Sequence, residues 1–356
     1  MRTVIRADAS VATGTGHVMR CLTLAHELRS RGAEVSFVCR EQPGDLSELI
    51  AAHGFEVTRL LPHVLAAAEA RTADAEQTRS AIERGARKTD WLVVDHYALG
   101  QSWERQIRPS VGHLMVIDDL ANRAHDCDLL LDQNFDNPLH AQYRSRVPEQ
   151  ARLLLGTRYA LIRAEFLQHR EAALARRNGE VRRILITLGG TDPANDTADA
   201  LEGIRAGTAG RAAIDVVIGG SNPHGAEIRS RCDSTPDCEL HVQTSRMAEL
   251  MARADLAITG GGSTTWERCI LGLPALVTIQ SEDQVAVAAA LQVTGAQRIV
   301  GRSAALSSLD YQSAFSQLTP AAMVQMSQVS ARICDGRGAQ RVANELLEWG
   351  TGLTNA

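Results

Sequence analysis

The sequence predicts an α/β fold built from two Rossmann-like halves with a cleft between them. Three observations carry this. Short apolar runs alternate with helix-period segments along the whole chain, the order that builds parallel sheets covered by helices. Runs such as Trp91-Leu92-Val93-Val94 and Leu114-Met115-Val116-Ile117 are apolar at consecutive positions, as strands buried on both faces are. The pattern restarts after Asn178-Gly179, and the first strand of each half runs into a glycine loop.

A strand over 3–7 opens the chain. The loop Gly14-Thr15-Gly16-His17 follows, then a helix with Val18, Cys21, Leu22, Ala25 and Leu28 on one face, ending at Gly32. Further strands are expected at 34–39, 56–60, 91–95, 114–118, 129–132 and 153–155. The first half ends near Gly156-Thr157-Arg158-Tyr159, which divides the chain into domains 1–157 and 158–356. A helix over 163–177 leads into strands at 184–188, 214–218, 239–242, 256–259, 275–279 and 298–300. The segment 338–347 reads as a helix that is free to pack back on the first domain.

Composition excludes several classes. The 356 residues carry a net charge of -5 and no long basic run, which argues against nucleic acid. No apolar stretch reaches membrane-spanning length, and the chain enters a strand at once without a signal-peptide pattern, so a cytoplasmic protein with no membrane contact is expected. Seven scattered cysteines without a C-x-x-C spacing fit a reducing compartment. The one lysine, Lys88, is far from any glycine loop, which removes both a Walker A loop and a pyridoxal-phosphate Schiff base. A dinucleotide fingerprint would need glycine at Met19 and an acid where Arg40 ends the second strand. No metal-ligand spacing is present either, so neither a cofactor nor a metal is expected. Oligomeric state is not legible.

In open α/β sheets ligands bind beyond the carboxyl ends of the strands. Five loops there carry chemistry. Gly14 to His17 places backbone N–H groups and a base together, where a tight turn with a capping histidine is the plainer reading. Asp95-His96-Tyr97 and Asp118-Asp119 end two strands and could orient a base, or simply cap helices. Gly189-Gly190-Thr191-Asp192 and Gly260-Gly261-Gly262-Ser263-Thr264-Thr265-Trp266-Glu267 combine glycines, hydroxyls and helix starts, an anion-binding pattern. Glu267, about one turn into its helix, could accept hydrogen bonds from ribose hydroxyls, and Asp283-Gln284 follows the strand at 275–279. One domain thus offers a phosphate cradle with a diol acceptor and the other a lone base, which suits a nucleotide sugar.

With these residues in place the chain resembles the UDP-2,4-diacetamido-2,4,6-trideoxy-β-L-altropyranose hydrolases of pseudaminic acid biosynthesis. The resemblance rests on Arg6-Ala7-Asp8-Ala9-Ser10, Gly14-Thr15-Gly16-His17-Val18-Met19-Arg20, Val94-Asp95-His96-Tyr97 and Ile117-Asp118-Asp119. It continues through Tyr159-Ala160-Leu161-Ile162-Arg163, Leu188-Gly189-Gly190-Thr191-Asp192, Gly261-Gly262-Ser263-Thr264-Thr265-Trp266-Glu267 and Asp335-Gly336. It implies a glycosyltransferase-B-like pair of domains with UDP held mainly by the second. It implies His17, Tyr97 and Asp283 as the catalytic group, His17 activating water and Tyr97 contacting the sugar. Arg6, Asp8, Gly14, Gly16 and Arg20 would bind the substrate, and Gly189, Gly190, Thr191, Gly262, Ser263, Thr264, Glu267 and Gln284 the UDP. The family often has Asn-Gln where this chain has Asp283-Gln284, and an added carboxylate would repel a diphosphate. UDP leaves readily, so one base and one anion cradle suffice for attack of water at the anomeric carbon. The rival readings are a glycosyltransferase of the same fold, a hydrolysing UDP-N-acetylglucosamine 2-epimerase using Asp95, Asp118 or Asp119, and a silent nucleotide-sugar-binding protein.

Overall fold

The computed structural model describes residues 1–10, 13–62, 67–85, 87–135, 138–262 and 264–349. Two compact units emerge. One holds Met1–Ile162 together with the segment from Arg337 onward, the other Arg163–Gly336.

The first unit is built on a 7-stranded sheet. Its strands are β1 (Arg2–Ala7), β2 (Glu34–Arg40), β3 (Glu56–Leu60), β4 (Thr89–Asp95), β5 (Val111–Ile117), β6 (Leu129–Asp132) and β7 (Arg152–Leu155). The order is β3-β2-β1-β4-β5-β6-β7, parallel at every pairing. Alternate residues face two helical layers. Ile5, Phe37, Val93, Met115 and Leu131 pack with Cys21, Leu24 and Leu28 of the helix Gly16–Ser30 and with Val342, Ala343 and Leu346 of the helix Gly338–Leu347. Val4, Val38, Leu92, Val94 and Leu114 pack on the other face with Ile82, Trp103 and Tyr143. The Trp91 indole N–H donates to the Leu346 carbonyl at 3.1 Å, which fastens the C-terminal helix to this sheet.

The second unit is built on a 6-stranded sheet of order β10-β9-β8-β11-β12-β13. Its strands are β8 (Arg183–Thr187), β9 (Ala213–Ile218), β10 (Cys238–Val242), β11 (Leu256–Gly260), β12 (Ala275–Ile279) and β13 (Arg298–Arg302). These pairings are parallel as well. Ile184, Ile186, Val216, Ile258 and Leu276 form one core face with Leu201, Ile204 and Tyr311. In both sheets the strand order turns back beside the first strand, β1 or β8. A loop leaving such a strand at its carboxyl end can reach a ligand from below. The Gly14 loop follows β1 and the Gly189 loop follows β8. No helix among the described residues is long and apolar enough to cross a membrane.

Candidate active site

In the first unit the ends of β1, β4 and β5 bring together side chains far apart in sequence. His17 enters on the first turn of the helix Gly16–Ser30, after Gly14 adopts φ +75 and pairs with Ser10. Its Nδ1 lies 2.6 Å from Asp95 Oδ1 at the end of β4. Arg20, one turn on, clamps the same carboxylate in a fork, with Nε to Oδ2 at 2.6 Å and Nη2 to Oδ1 at 2.7 Å. Its Nη1 donates to Asp119 Oδ2 at 3.0 Å, after β5. Asp95 is 0 % exposed. Burial alone would raise its carboxyl, but the Arg20 and His17 charges and hydrogen bonds outweigh burial and hold it well below the usual range. An ionised carboxylate only accepts, so Nδ1 of His17 carries a proton, and in the neutral ring the lone pair therefore falls on Nε2. The Tyr97 ring meets the imidazole edge-on, with centroids 4.5 Å apart. Burial, and then the Asp119 charge, push its phenol well up.

Next to this group lies a second ion-paired cluster. Arg6 is 0 % exposed and donates to Asp8 at 2.5 and 2.9 Å and to Asp74 at 2.6 Å. Arg40 also donates to Asp74 at 2.6 Å, and its backbone N–H to Asp8 at 2.7 Å. Trp103 Nε1 adds a donor to Asp74 at 2.9 Å. Burial opposes ionisation of both acids, yet the arginines hold Asp8 far below its ordinary range and Asp74 down at about 2. His96 Nδ1 accepts from the Ala98 N–H at 3.0 Å, which leaves Nε2 to face Asp8 at 3.3 Å. Arg6 and Arg20 are therefore spent on carboxylates: they fix Asp8, Asp74, Asp95 and Asp119. A cavity of about 330 Å³ opens over both clusters, lined by Asp8, Thr13, His17, Arg40, Gln42, Ala70, Arg71, Asp74, His96, Tyr97, Ala98 and Leu99. Its size is that of a small-ligand site.

The second unit gathers the other residues singled out in the sequence. Gly189, at φ +87, and Gly190 leave β8 exposed to solvent. Thr191 follows, half-buried and with its hydroxyl unbonded among the described residues. Asp192 turns inward and caps the helix Asp196–Thr208, accepting from the N–H groups of Asp196 at 3.1 Å and Thr197 at 2.9 Å. Gly219 packs so closely that a Cβ there would lie 2.4 Å from the Gly190 carbonyl oxygen. After β11, Gly261 and Gly262 precede the helix Thr264–Ile270, and Ser263 lies outside the described residues. Gln284 supports this loop, its Oε1 accepting from the Gly261 N–H at 3.2 Å and the Gln280 N–H at 3.0 Å. Glu267 pairs through Oε1 with Arg163 at 3.0 Å, and Oε2 makes no hydrogen bond among the described residues. Burial, the leading effect, raises its carboxyl. Asp283 stands exposed at the start of the helix Gln284–Thr294 with no partner among the described residues.

Sequence reasoning missed Arg40, Asp74, Arg71 and Gln280. Asp74 and Arg71 sit on the helix Ala67–Glu83, which carries no motif. Gln280 donates to the Leu188 carbonyl and lies against Gly260, joining the two glycine loops. One group of possible metal ligands occurs among the described residues, Asp215, Glu239 and His241. Arg183 at 3.0 Å and Arg253 at 2.5 Å already occupy Asp215.

Residues 184–332 match the glycosyltransferase family 28 C-terminal domain. Among curated proteins, an uncharacterised protein of Methanocaldococcus jannaschii is 27% identical over 289 residues, 80% of this chain, and the chain spans only 57% of that relative. The spore coat polysaccharide biosynthesis protein SpsG of Bacillus subtilis is 26% identical, over 85% of this chain and 84% of its own length. The UDP-2,4-diacetamido-2,4,6-trideoxy-β-L-altropyranose hydrolase of Campylobacter jejuni is 25% identical, over 76% of this chain and 89% of its own length. Among solved structures, MurG of Acinetobacter baumannii superposes with a TM-score of 0.67 at 15% identity, covering 98% of this chain and 99% of that one. UDP-GlcNAc 2-epimerase from Neisseria meningitidis, bound to UDP-GlcNAc, gives 0.63 at 14% identity, covering 98% and 100%. The fold is thus glycosyltransferase-B-like, two α/β units each on a parallel sheet.

Proposed function

We propose that this protein is a nucleotide-sugar hydrolase. It cleaves a UDP-linked 2,4-diacetamido-2,4,6-trideoxyhexose at the anomeric carbon and releases UDP and the free sugar. The observation that carries the reading is the His17–Asp95 pair at a ligand-sized cavity. Asp95 fixes the ring in the tautomer whose Nε2 can take a proton from water. The water oxygen bonds to the anomeric carbon as the carbon–oxygen bond to UDP breaks, the bonding pair leaves with UDP, and the water proton passes to His17.

The second unit carries groups suited to a nucleotide. Backbone N–H groups at Gly189, Gly190 and Gly262, with the Thr191 and Thr264 hydroxyls, supply donors for a diphosphate, while the Gly261 N–H is held by Gln284. Glu267 supplies an acceptor for ribose hydroxyls. The match of residues 184–332 to a glycosyltransferase domain, and the Campylobacter relative named as a hydrolase, support the UDP-sugar class. The three carboxylates an epimerase would bring to the sugar ring are each ion-paired to an arginine. Asp95 and Asp119 face Arg20, and Asp118 faces Arg123 at 2.7 Å and accepts from the Ala121 N–H at 2.9 Å.

The test is UDP release from the UDP-diacetamido sugar without any acceptor, followed by proton NMR of the sugar formed. Turnover of the native protein and a loss of about 100-fold or more in His17→Asn, with UDP affinity retained, is the expected outcome. Turnover that requires an added acceptor would make the protein a transferase. UDP binding without turnover would make it a binding protein.

A further inference from the structure

The charged side chains that line the cavity over His17 are, with one exception, paired within the fold. Asp8 and Asp74 are filled by Arg6, Arg40 and Trp103. Arg40 is divided between Asp74 and the Leu61 carbonyl. Gln42 donates to the Ala9 carbonyl at 3.1 Å. Arg71 differs. It lines the same cavity from the helix Ala67–Glu83, half-buried, and its guanidinium has no hydrogen bond or ion pair among the described residues. A lone arginine on a surface is unremarked, being solvated. Here it stands beside Ala70, Ala98 and Leu99, apolar walls that a ligand would cover and that offer no replacement for lost water. A ligand filling the cavity must therefore bring an acceptor to Arg71 or leave a cation dehydrated and unpaired.

We propose that Arg71 is a specificity residue that contacts the substrate. It selects sugars bearing a carbonyl-type oxygen, an acylamino carbonyl or a carboxylate, over sugars bearing hydroxyls alone. The inference rests on the cavity being the sugar site of a UDP-sugar enzyme. Its planar fork of donors matches such oxygens, which an ordinary hydroxyl does not replace. The alanine and leucine walls suit the methyl of an acyl group.

The test compares the native protein with Arg71→Met and Arg71→Lys. Calorimetry measures UDP, UDP-glucose, UDP-N-acetylglucosamine, UDP-glucuronic acid and the UDP-diacetamido sugar, with KM and kcat wherever turnover occurs. At least one sugar bearing a carbonyl-type oxygen should bind about tenfold or more tighter than UDP-glucose. Arg71→Met should erase that preference while leaving UDP affinity and melting temperature unchanged, because the side chain holds nothing within the fold. Arg71→Lys should retain part of it. Which sugar loses affinity identifies the acceptor. A native protein without the preference, or an Arg71→Met protein that keeps it, overturns the inference. Failure of turnover with every sugar would instead refute the hydrolase reading and still leave the Arg71 comparison readable by binding.

Discussion

Replacing Asp95 by Asn probes the site where its geometry is most constrained. The carboxylate accepts from His17 Nδ1, Arg20 Nε and Arg20 Nη2, at 2.6, 2.6 and 2.7 Å, and from the Cys21 thiol at 3.5 Å. An amide has one acceptor oxygen, so its NH2 group must face one of these N–H groups. Breaking a buried ion pair on one side costs about 3–5 kcal/mol. Arg20 keeps Asp119 at 3.0 Å, which puts the loss near the low end, about 3 kcal/mol. A domain stable by about 5–15 kcal/mol stays folded with that loss. The catalytic cost follows from the tautomer. An NH2 group facing His17 Nδ1 draws the imidazole proton to Nε2, and the ring then cannot accept from water. We expect kcat to fall by about 10²–10⁴, or about 3–5 kcal/mol of barrier, with UDP affinity unchanged. The assay is UDP release at saturating substrate, paired with a melting curve. A folded Asp95→Asn protein with kcat within about threefold of native would refute the reasoning, because the base would then need no orienting carboxylate.

Three further outcomes follow. Glu267→Ala should weaken UDP binding by about 1–3 kcal/mol in calorimetry, and an unchanged affinity would reject its ribose role. Hydrolysis should persist in excess chelator, because Asp215, in the one ligand-like group among the described residues, is already held by arginines; loss of activity restored by a divalent ion would overturn this. Asp74 is lowered from 3.8 to about 2, burial being outweighed by Arg6 and Arg40, so its contribution is present above about pH 4 and lost as pH falls through about 2. It amounts to about 2 kcal/mol, and the stability gap between native and Asp74→Asn proteins should shrink over that interval; a gap constant from pH 7 to pH 2 refutes the pairing.

The sheets were legible because their strands are buried on both faces. Uninterrupted runs such as Leu129–Leu131 and Ile184–Ile186 carry that signal without any alternation to decode. Strand beginnings were less so: β5 starts at Val111, before Gly112 and His113, which break the apolar run. In the site, residues flanked by glycine or placed just past a strand were visible, as His17, Asp95 and Tyr97 were. Their pairings were not. His17 and Asp95 are 78 positions apart, and only the β1–β4 neighbourhood brings them together. Asp74 and Arg71 lie on a helix of ordinary amphipathic composition, so nothing local separates them from solvated surface charges. Gln280 acts by packing between two loops, which a one-dimensional pattern does not record.

The charge pairs also bear on which leaving group the site can serve. Cleavage of an ordinary glycoside needs a general acid to protonate the departing oxygen, and that acid must hold a proton at working pH. The carboxyls at the cavity do the opposite. Arginines hold Asp8 well below the usual range and Asp74 at about 2, burial notwithstanding, and Asp95, buried behind His17, is held down in the same way. Tyr97 keeps its proton, but burial and Asp119 push it far too high to give that proton readily. A diphosphate departs without protonation, stabilised by donors alone. On the proposed function the first unit thus has its base in His17 and no acid among its described cavity carboxyls, a combination that would match a nucleotide-linked sugar. The UDP-linked sugar should be cleaved and the methyl glycoside of the same sugar should not, as read by NMR after prolonged incubation. Cleavage of the methyl glycoside, lost in Tyr97→Phe, would reveal a general acid and break the link between these ion pairs and the choice of leaving group.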